Sequence, residues 1–303
     1  MAEKDIPFSP LTSADRFRVE ALLRRCPPAV SECTFTNLFV WRGHRPVFSA
    51  EIDGILLLIA QQYGGLYLIG PPLGPGDHGR ALARLAPRLD GAIRQPLAAV
   101  APLRQAGFTV RPDPDNADYV YRVADLADLA GRRYAKKRNL VKQCLAAHHC
   151  VYEEITDRNR DECLAMQDQW CDLRGCRDEP GLEGEYEAIR ETFAHYRRLP
   201  IFGGAIRVDG AIRAFAIAEP LDGDTAVWHF EKAMPQYTGL GQLINQWFAA
   251  RALGRFTYVN REQDMGIPGL RQAKESYFPC CMVPKYTTRT DGRPETVDGR
   301  CAA

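Results

Sequence analysis

Apolar and polar positions along this chain fall into two signatures that resemble each other. The first runs Val47-Phe-Ser-Ala-Glu-Ile-Asp53-Gly54-Ile-Leu-Leu-Leu-Ile59, and the second Ala205-Ile-Arg-Val-Asp209-Gly210-Ala-Ile-Arg-Ala-Phe-Ala-Ile217. Each is a run rich in β-branched residues, an Asp-Gly turn and a second apolar run, which predicts a β-hairpin. A third strand follows each hairpin, over 65–69 and 226–232. Each third strand leads through a loop containing Gly or Pro into a helix, near 78–88 and 240–251. Ahead of the hairpins, helical spacing predicts helices over 13–25 and 36–42 in the first half and over 160–174 and 183–198 in the second. Thr12 or Ser13 and Asp161 are the expected N-caps.

The order helix, helix, hairpin, strand, loop, helix thus occurs twice, with Asp53 and Asp209 marking a spacing of 156 residues. A tandem duplication of one lobe accounts for it, and two unrelated α+β units are the alternative. The expected fold class is α+β in layers. It has two lobes, each a mixed, mostly antiparallel sheet flanked by helices. The expected boundaries are a first lobe at 1–125, a basic segment at 126–150, a second lobe at 151–286 and a flexible polar tail at 287–303. The copies differ after the third strand. Gly70-Pro-Pro-Leu-Gly-Pro-Gly76-Asp77 in the first copy has prolines, which lack backbone N–H donors, and an acid suited to an N-cap. The second copy keeps a loop that suits an anion, so the active site is expected there.

Composition narrows the class of protein. Of 303 residues, 46% are hydrophobic and 25% charged, and the net charge of +1 leaves any contact with a polyanion to a local patch. The longest apolar run, 55–60, is far short of a membrane span. The first ten residues resemble no signal peptide, so a cytoplasmic location is expected. The ten cysteines show no C-x-x-C spacing and no histidines at ligand distance. They are expected to be reduced, small buried hydrophobes, with no metal site.

Three stretches carry candidate chemistry. The strand Ala226-Val-Trp-His-Phe-Glu-Lys232 leads into Gln236-Tyr-Thr-Gly239-Leu-Gly241 and then a helix containing Asn245. Glycines let the backbone approach a phosphate, and the N–H groups and dipole of a first helical turn favour an anion. A plain tight turn is the alternative. On a regular strand His229 and Glu231 share a face with Val227, while Trp228 and Phe230 face the core. His229 and Glu231 are therefore candidates for a general base, unless Glu231 merely pairs with a basic neighbour. If the next strand runs through Asp264, then Asn260, Glu262 and Asp264 share a face. They would hold an acceptor amine or an aminoacyl ammonium, or pair with Arg271 and Lys274. Finally, six of the eleven residues over 132–142 are basic, Lys136, Lys137 and Arg138 among them. They form either a solvated helix face or a polyanion patch.

The block Phe256-Thr-Tyr-Val-Asn260-Arg261-Glu262-Gln263-Asp264-Met-Gly266-Ile-Pro-Gly269-Leu-Arg271-Gln-Ala-Lys274-Glu-Ser276-Tyr277-Phe-Pro279 resembles a known family. So do His229-Phe-Glu231-Lys232-Ala233, Ile244-Asn245-Gln246, Lys137-Arg138-Asn139 and Phe39-Val40-Trp41. These residues are similar to the soluble family related to the C-terminal domain of bacterial phosphatidylglycerol lysyltransferases, from near residue 8 to about residue 286. That family resembles tandem proteins of the GNAT (acyl-CoA N-acyltransferase) superfamily, including the Fem-type peptidyltransferases that use aminoacyl-tRNA. In GNAT enzymes a strand, Q-x-x-G-x-G and a helix build the donor pyrophosphate site. The resemblance implies a transferase that moves an acyl or aminoacyl group from acyl-CoA or aminoacyl-tRNA to an amine or hydroxyl. Gln236, Gly239, Gly241 and Asn245 would line the donor site, and Asn260 would bind the acceptor. His229, Glu231, Glu262, Asp264 and Tyr277 are the catalytic candidates. Tyr277 is displaced from the place of the usual GNAT general acid. CoA or aminoacyl-tRNA would be a co-substrate, with no cofactor tightly bound. Transfer RNA would meet the basic segment, and a small-molecule or peptide amine would be the acceptor. The rival is a non-catalytic tandem GNAT scaffold that binds a nucleotide, RNA or protein partner.

Overall fold

The computed structural model describes residues 6–25, 27 and 29–289. Its strands are β1 (Ser9–Pro10), β2 (Val47–Ile52), β3 (Ile55–Gln62), β4 (Gly65–Ile69), β5 (Gly91–Ile93), β6 (Arg111–Pro112), β7 (Asp118–Arg122), β8 (Cys150–Glu154), β9 (Phe202–Val208), β10 (Ala211–Pro220), β11 (Thr225–Ala233), β12 (Tyr258–Asn260), β13 (Cys281–Val283) and β14 (Tyr286–Thr287). Its α-helices are α1 (Arg16–Arg25), α2 (Phe35–Val40), α3 (His78–Leu85), α4 (Val100–Gln105), α5 (Val123–Asp128), α6 (Ala135–Ala147), α7 (Arg160–Arg174), α8 (Pro180–Ala194), α9 (Leu240–Ala252) and α10 (Pro268–Glu275).

The chain forms two compact units. One holds the described residues up to Asp118, with Gln263–Gly266 and those from Met282 onward. The other holds Tyr119–Glu262 and Ile267–Cys281. The first break therefore falls before 125, and the basic segment is part of the second unit. Both units repeat one topology, giving an α+β fold of mixed sheets flanked by helices. In the first the sheet order is β1-β2-β3-β4-β5, antiparallel through β4 and parallel between β4 and β5. In the second, β8-β9-β10-β11 are antiparallel, β11 and β12 are parallel, and β7 pairs antiparallel with β12. Cys281 continues the edge beside β7.

Local chemistry explains the elements. Asp53 and Asp209 both have positive φ, at 52° and 50°, and each precedes a glycine of positive φ, as a tight two-residue hairpin turn requires. Asp77 caps α3, its carboxylate accepting from Arg80 N–H at 3.0 Å. That carboxylate stands at the first turn of α3. Thr12 makes a capping box with Asp15, but Asn159 rather than Asp161 stands at the N-cap of α7.

Two expectations are corrected. Cys171 and Cys176 are joined in a disulfide rather than reduced. The polar tail does not begin at 287. Tyr286–Thr287 pairs with Arg111–Pro112, and Thr288 exchanges hydrogen bonds with Ala92 at 2.9 and 2.7 Å. The remainder of that tail, from 290, lies outside the described residues. Among the described residues no helix is long and apolar enough to cross a membrane.

The first unit closes on a buried ionic knot. Lys285, fully enclosed, reaches Asp118 at 2.6 Å, Gln263 at 3.1 Å and the Glu32 carboxylate, while Arg94 approaches Glu32 at 3.6 Å. Five separate stretches of chain meet there.

Candidate active site

The second unit's sheet opens at one place. Parallel pairing of β11 with β12 stops at Val227 opposite Asn260, and β11 runs on to Ala233. Just past that point the pairing of β11 with β10 slips: Trp228 faces Ala218 and Phe230 faces Ile217, so His229 is an extra residue. This is a β-bulge, which bends a strand and re-aims its side chains. The first unit has neither feature, because β4 pairs regularly with β3 and stays beside β5 to its last residue, Ile69.

The bulge reverses the expected alternation. Ala214, Ala216, Ala218, Ala226 and Trp228 share a core with Leu240, Leu243, Ile244 and Phe248 of α9. Glu231 lies opposite Ala216 and so faces α9. Phe215 and Lys232 face α8 instead, through Phe193 and Glu185. His229 bonds Glu219, which follows Phe215 and Ile217 on that second face. His229 and Glu231 therefore do not share a face, because the extra residue shifts the phase between them.

Each face has an ion pair spanning the opening. On the face away from α9, His229 Nε2 is 2.8 Å from Glu219 and its Nδ1 is 2.9 Å from Glu262. Burial opposes charge on this imidazole, but the two carboxylates outweigh it and raise its pKa to about 9. With a carboxylate on each nitrogen, the ring is held toward its charged form. On the α9 face, Glu231 Oε2 accepts from Arg261 at 3.0 Å and from the buried Asn245 amide at 3.2 Å. The Arg261 guanidinium lies 4.6 Å from the Trp228 ring centre and 5.3 Å from that of Tyr277.

α6 brings Lys137 to the same cluster. Its ammonium donates to Ser276 at 2.8 Å and sits 3.5 Å from the centre of the Tyr277 ring. Ser276 donates in turn to the Ala273 carbonyl at 2.6 Å, which leaves its oxygen an acceptor toward Lys137. Arg138 turns to the Leu129 and Gly131 carbonyls at the end of α5. Of the three basic candidates, Lys136 is exposed and Lys137 and Arg138 are half-buried.

α9 begins at the glycine loop. Gly239 caps it with φ +84°, and a Cβ there would lie 2.0 Å from the Leu140 carbonyl oxygen of α6. Gly241, two residues on, has open space around it, and Gln236 is exposed.

The family described as phosphatidylglycerol lysyltransferase, C-terminal, matches residues 23–289. This chain belongs to that family. It is 31% identical to a conserved protein of unknown function from Bacteroides thetaiotaomicron, over 93% of this chain and 99% of that one, with a TM-score of 0.84. L-PGS from Bacillus licheniformis superposes with a TM-score of 0.62 at 14% identity, covering 93% and 94% of the two chains. FemX does so with a TM-score of 0.55 at 9% identity, covering 94% and 96%. At those identities the last two speak for the fold alone. No curated protein matches the chain.

The remaining candidates separate. The strand expected to run through Asp264 ends at Asn260. Asn260 accepts from Glu262 N–H at 2.8 Å and closes its own turn, and Glu262 takes φ +59°, so alternation stops there. Asp264 belongs to the other unit and accepts from Gly266 N–H at 2.8 Å. It therefore does not join Asn260 and Glu262 on one face. Tyr277 is buried beside Lys137 and Arg261, and burial raises its hydroxyl well above the usual phenol range. Sequence reasoning missed Glu219 and gave Arg261 no part in a site. Only the pairing register of β10 with β11 reveals Glu219.

Proposed function

We propose that this chain is a transferase. It moves an aminoacyl or acyl group from aminoacyl-tRNA or acyl-CoA to an amine or hydroxyl, in the opening between β11 and β12. The observation that carries this reading is the end of parallel pairing at Val227 and Asn260, with a bulge at the next turn of chain. An unpaired strand edge offers backbone N–H and C=O groups to an extended donor, and a carbonyl bound there meets fixed dipoles. The open first turn of α9 at Gly241 suits the donor's phosphates. Glu231, Asn245 and Arg261 orient the reacting groups, while His229 braces the opening from the far face. Family membership favours an aminoacyl donor.

The test is thermal stabilisation of the purified protein by CoA, acetyl-CoA and bulk aminoacylated tRNA side by side. A ligand at 100 times its dissociation constant stabilises by about 2.7 kcal/mol. A response to CoA species alone makes the donor acyl-CoA. A response to charged tRNA alone makes it aminoacyl-tRNA. Silence from both removes the transferase reading and leaves a scaffold.

A further inference from the structure

The reaction proposed above needs a base, and both groups expected to supply it are engaged. His229 has a carboxylate on each ring nitrogen, and Glu231 has Arg261 and Asn245 on one oxygen. A third group stands in the same cluster. We propose that Lys137 is the catalytic base, its neutral amine taking the proton from the acceptor nitrogen or hydroxyl as that atom attacks the donor carbonyl. This inference rests on the transferase reading.

The surroundings of Lys137 fix its side chain. Ser276, whose hydroxyl proton is committed to Ala273, can only accept from it, so one N–H is anchored and the nitrogen lone pair points elsewhere. The Tyr277 ring lies against it. The charges facing it are Glu231 on β11, Arg261 beyond β12 and Lys136 on its own helix. Burial and the positive charge of Arg261 bring its pKa down to about 8, with Glu231 pulling the other way and Lys136 adding to the fall. A lysine poised there is part ammonium and part amine near neutral pH, as a base must be.

The step balances. The acceptor N–C or O–C bond forms and the donor ester C–O or thioester C–S bond breaks. The acceptor's proton moves to Lys137 Nζ. The resulting ammonium then returns a proton to the departing 3′-oxygen or thiolate, leaving Lys137 neutral for the next turnover.

Two measurements test this. In the first, acetylation of each lysine by acetic anhydride is followed against pH by peptide mass spectrometry. Lys137 should react with a midpoint near pH 8, and Arg261→Ala should move that midpoint upward. A midpoint like that of the exposed Lys136 overturns the proposal whether or not the protein turns over. In the second, acyl transfer from acetyl-CoA and from bulk aminoacylated tRNA is measured for wild type, K137R and K137M across pH 6 to 10. Loss of about 100-fold or more in both variants, with melting temperatures kept, supports the base. K137R at wild-type rate with the same pH profile overturns it, because charge alone would then suffice. A wild type inactive with either donor removes the transferase reading and this proposal together. Activity in wild type that K137R and K137M retain removes this proposal alone.

Discussion

His229 Nδ1 stands 2.9 Å from Glu262 Oε1 across the β11–β12 opening, the imidazole almost wholly buried and the carboxylate partly exposed. With Glu219 on its other nitrogen, this imidazole has a pKa near 9 in the fold against 6.5 as a free side chain. A raised pKa means stability that is fully present below pH 6.5 and lost as pH climbs through about 9. The loss is on the order of 3 kcal/mol, at 1.36 kcal/mol for each pKa unit. Urea unfolding at a series of pH values should show a decline across this window. H229Q should be less stable at pH 6 and should lack that slope.

Glu231 answers to a different measurement. It lies beside Arg261 and Asn245 on the face toward α9, is part exposed, and makes no strand-to-strand brace on the far face. E231Q keeps the shape and one hydrogen-bond acceptor but removes the charge. Transfer should fall by about 100-fold, the scale of a misplaced reacting group. The melting temperature should move by only a few degrees. Wild-type rates in E231Q would take Glu231 out of the reaction.

The hairpins, the third strands and the helix after each were legible in the sequence because their signals are local. Asp-Gly turns, β-branched runs and an N-capping Asp77 act over a few residues. The duplication was legible for the same reason, since each copy spells out the same local signals. Phase along β11 was not. A bulge is visible only when a second strand is aligned beside the first, so the separation of His229 from Glu231 awaited the register with β10. Glu219 was hidden likewise, as an acid at the end of a long apolar strand whose partner comes from the neighbouring strand. Asp264 misled because alternation was carried past Asn260, where Glu262 adopts a left-handed backbone. Lys137 looked like surface charge because i, i+1 basic residues on a helix point in different directions. One of them faces inward here.

The ionic knot of the first unit predicts a large and specific cost. Lys285 is fully buried, with burial disfavouring its charge and Asp118 and Glu32 more than restoring it, so its pKa is raised. Glu32 is lowered against its own burial by Lys285 and Arg94. Removing one member strands the others in a dry interior. K285M should destabilise the protein by about 3–5 kcal/mol, the range for breaking a buried pair. Chemical denaturation measures it. A loss below about 1 kcal/mol would mean that water reaches the cluster.

Two glycines of the α9 loop, two residues apart, should behave oppositely. Gly239 has φ +84°, and a methyl group there would meet the Leu140 carbonyl oxygen at 2.0 Å, backbone against backbone. G239A must strain its own dihedral and push α6 away from α9, which should cost more than about 2 kcal/mol. Gly241 lies inside the first turn of α9 with open space around it. G241A should therefore hold or gain stability, since alanine favours a helix over glycine by about 1 kcal/mol. If donor phosphates bind at that turn, the added methyl group stands where they would approach. G241A should then melt at or above the wild-type temperature yet lose most of the stabilisation by charged tRNA or CoA. Differential scanning fluorimetry with and without each donor separates the two effects. Undiminished stabilisation in G241A would move the donor away from the α9 terminus and leave Gly239 a purely structural glycine.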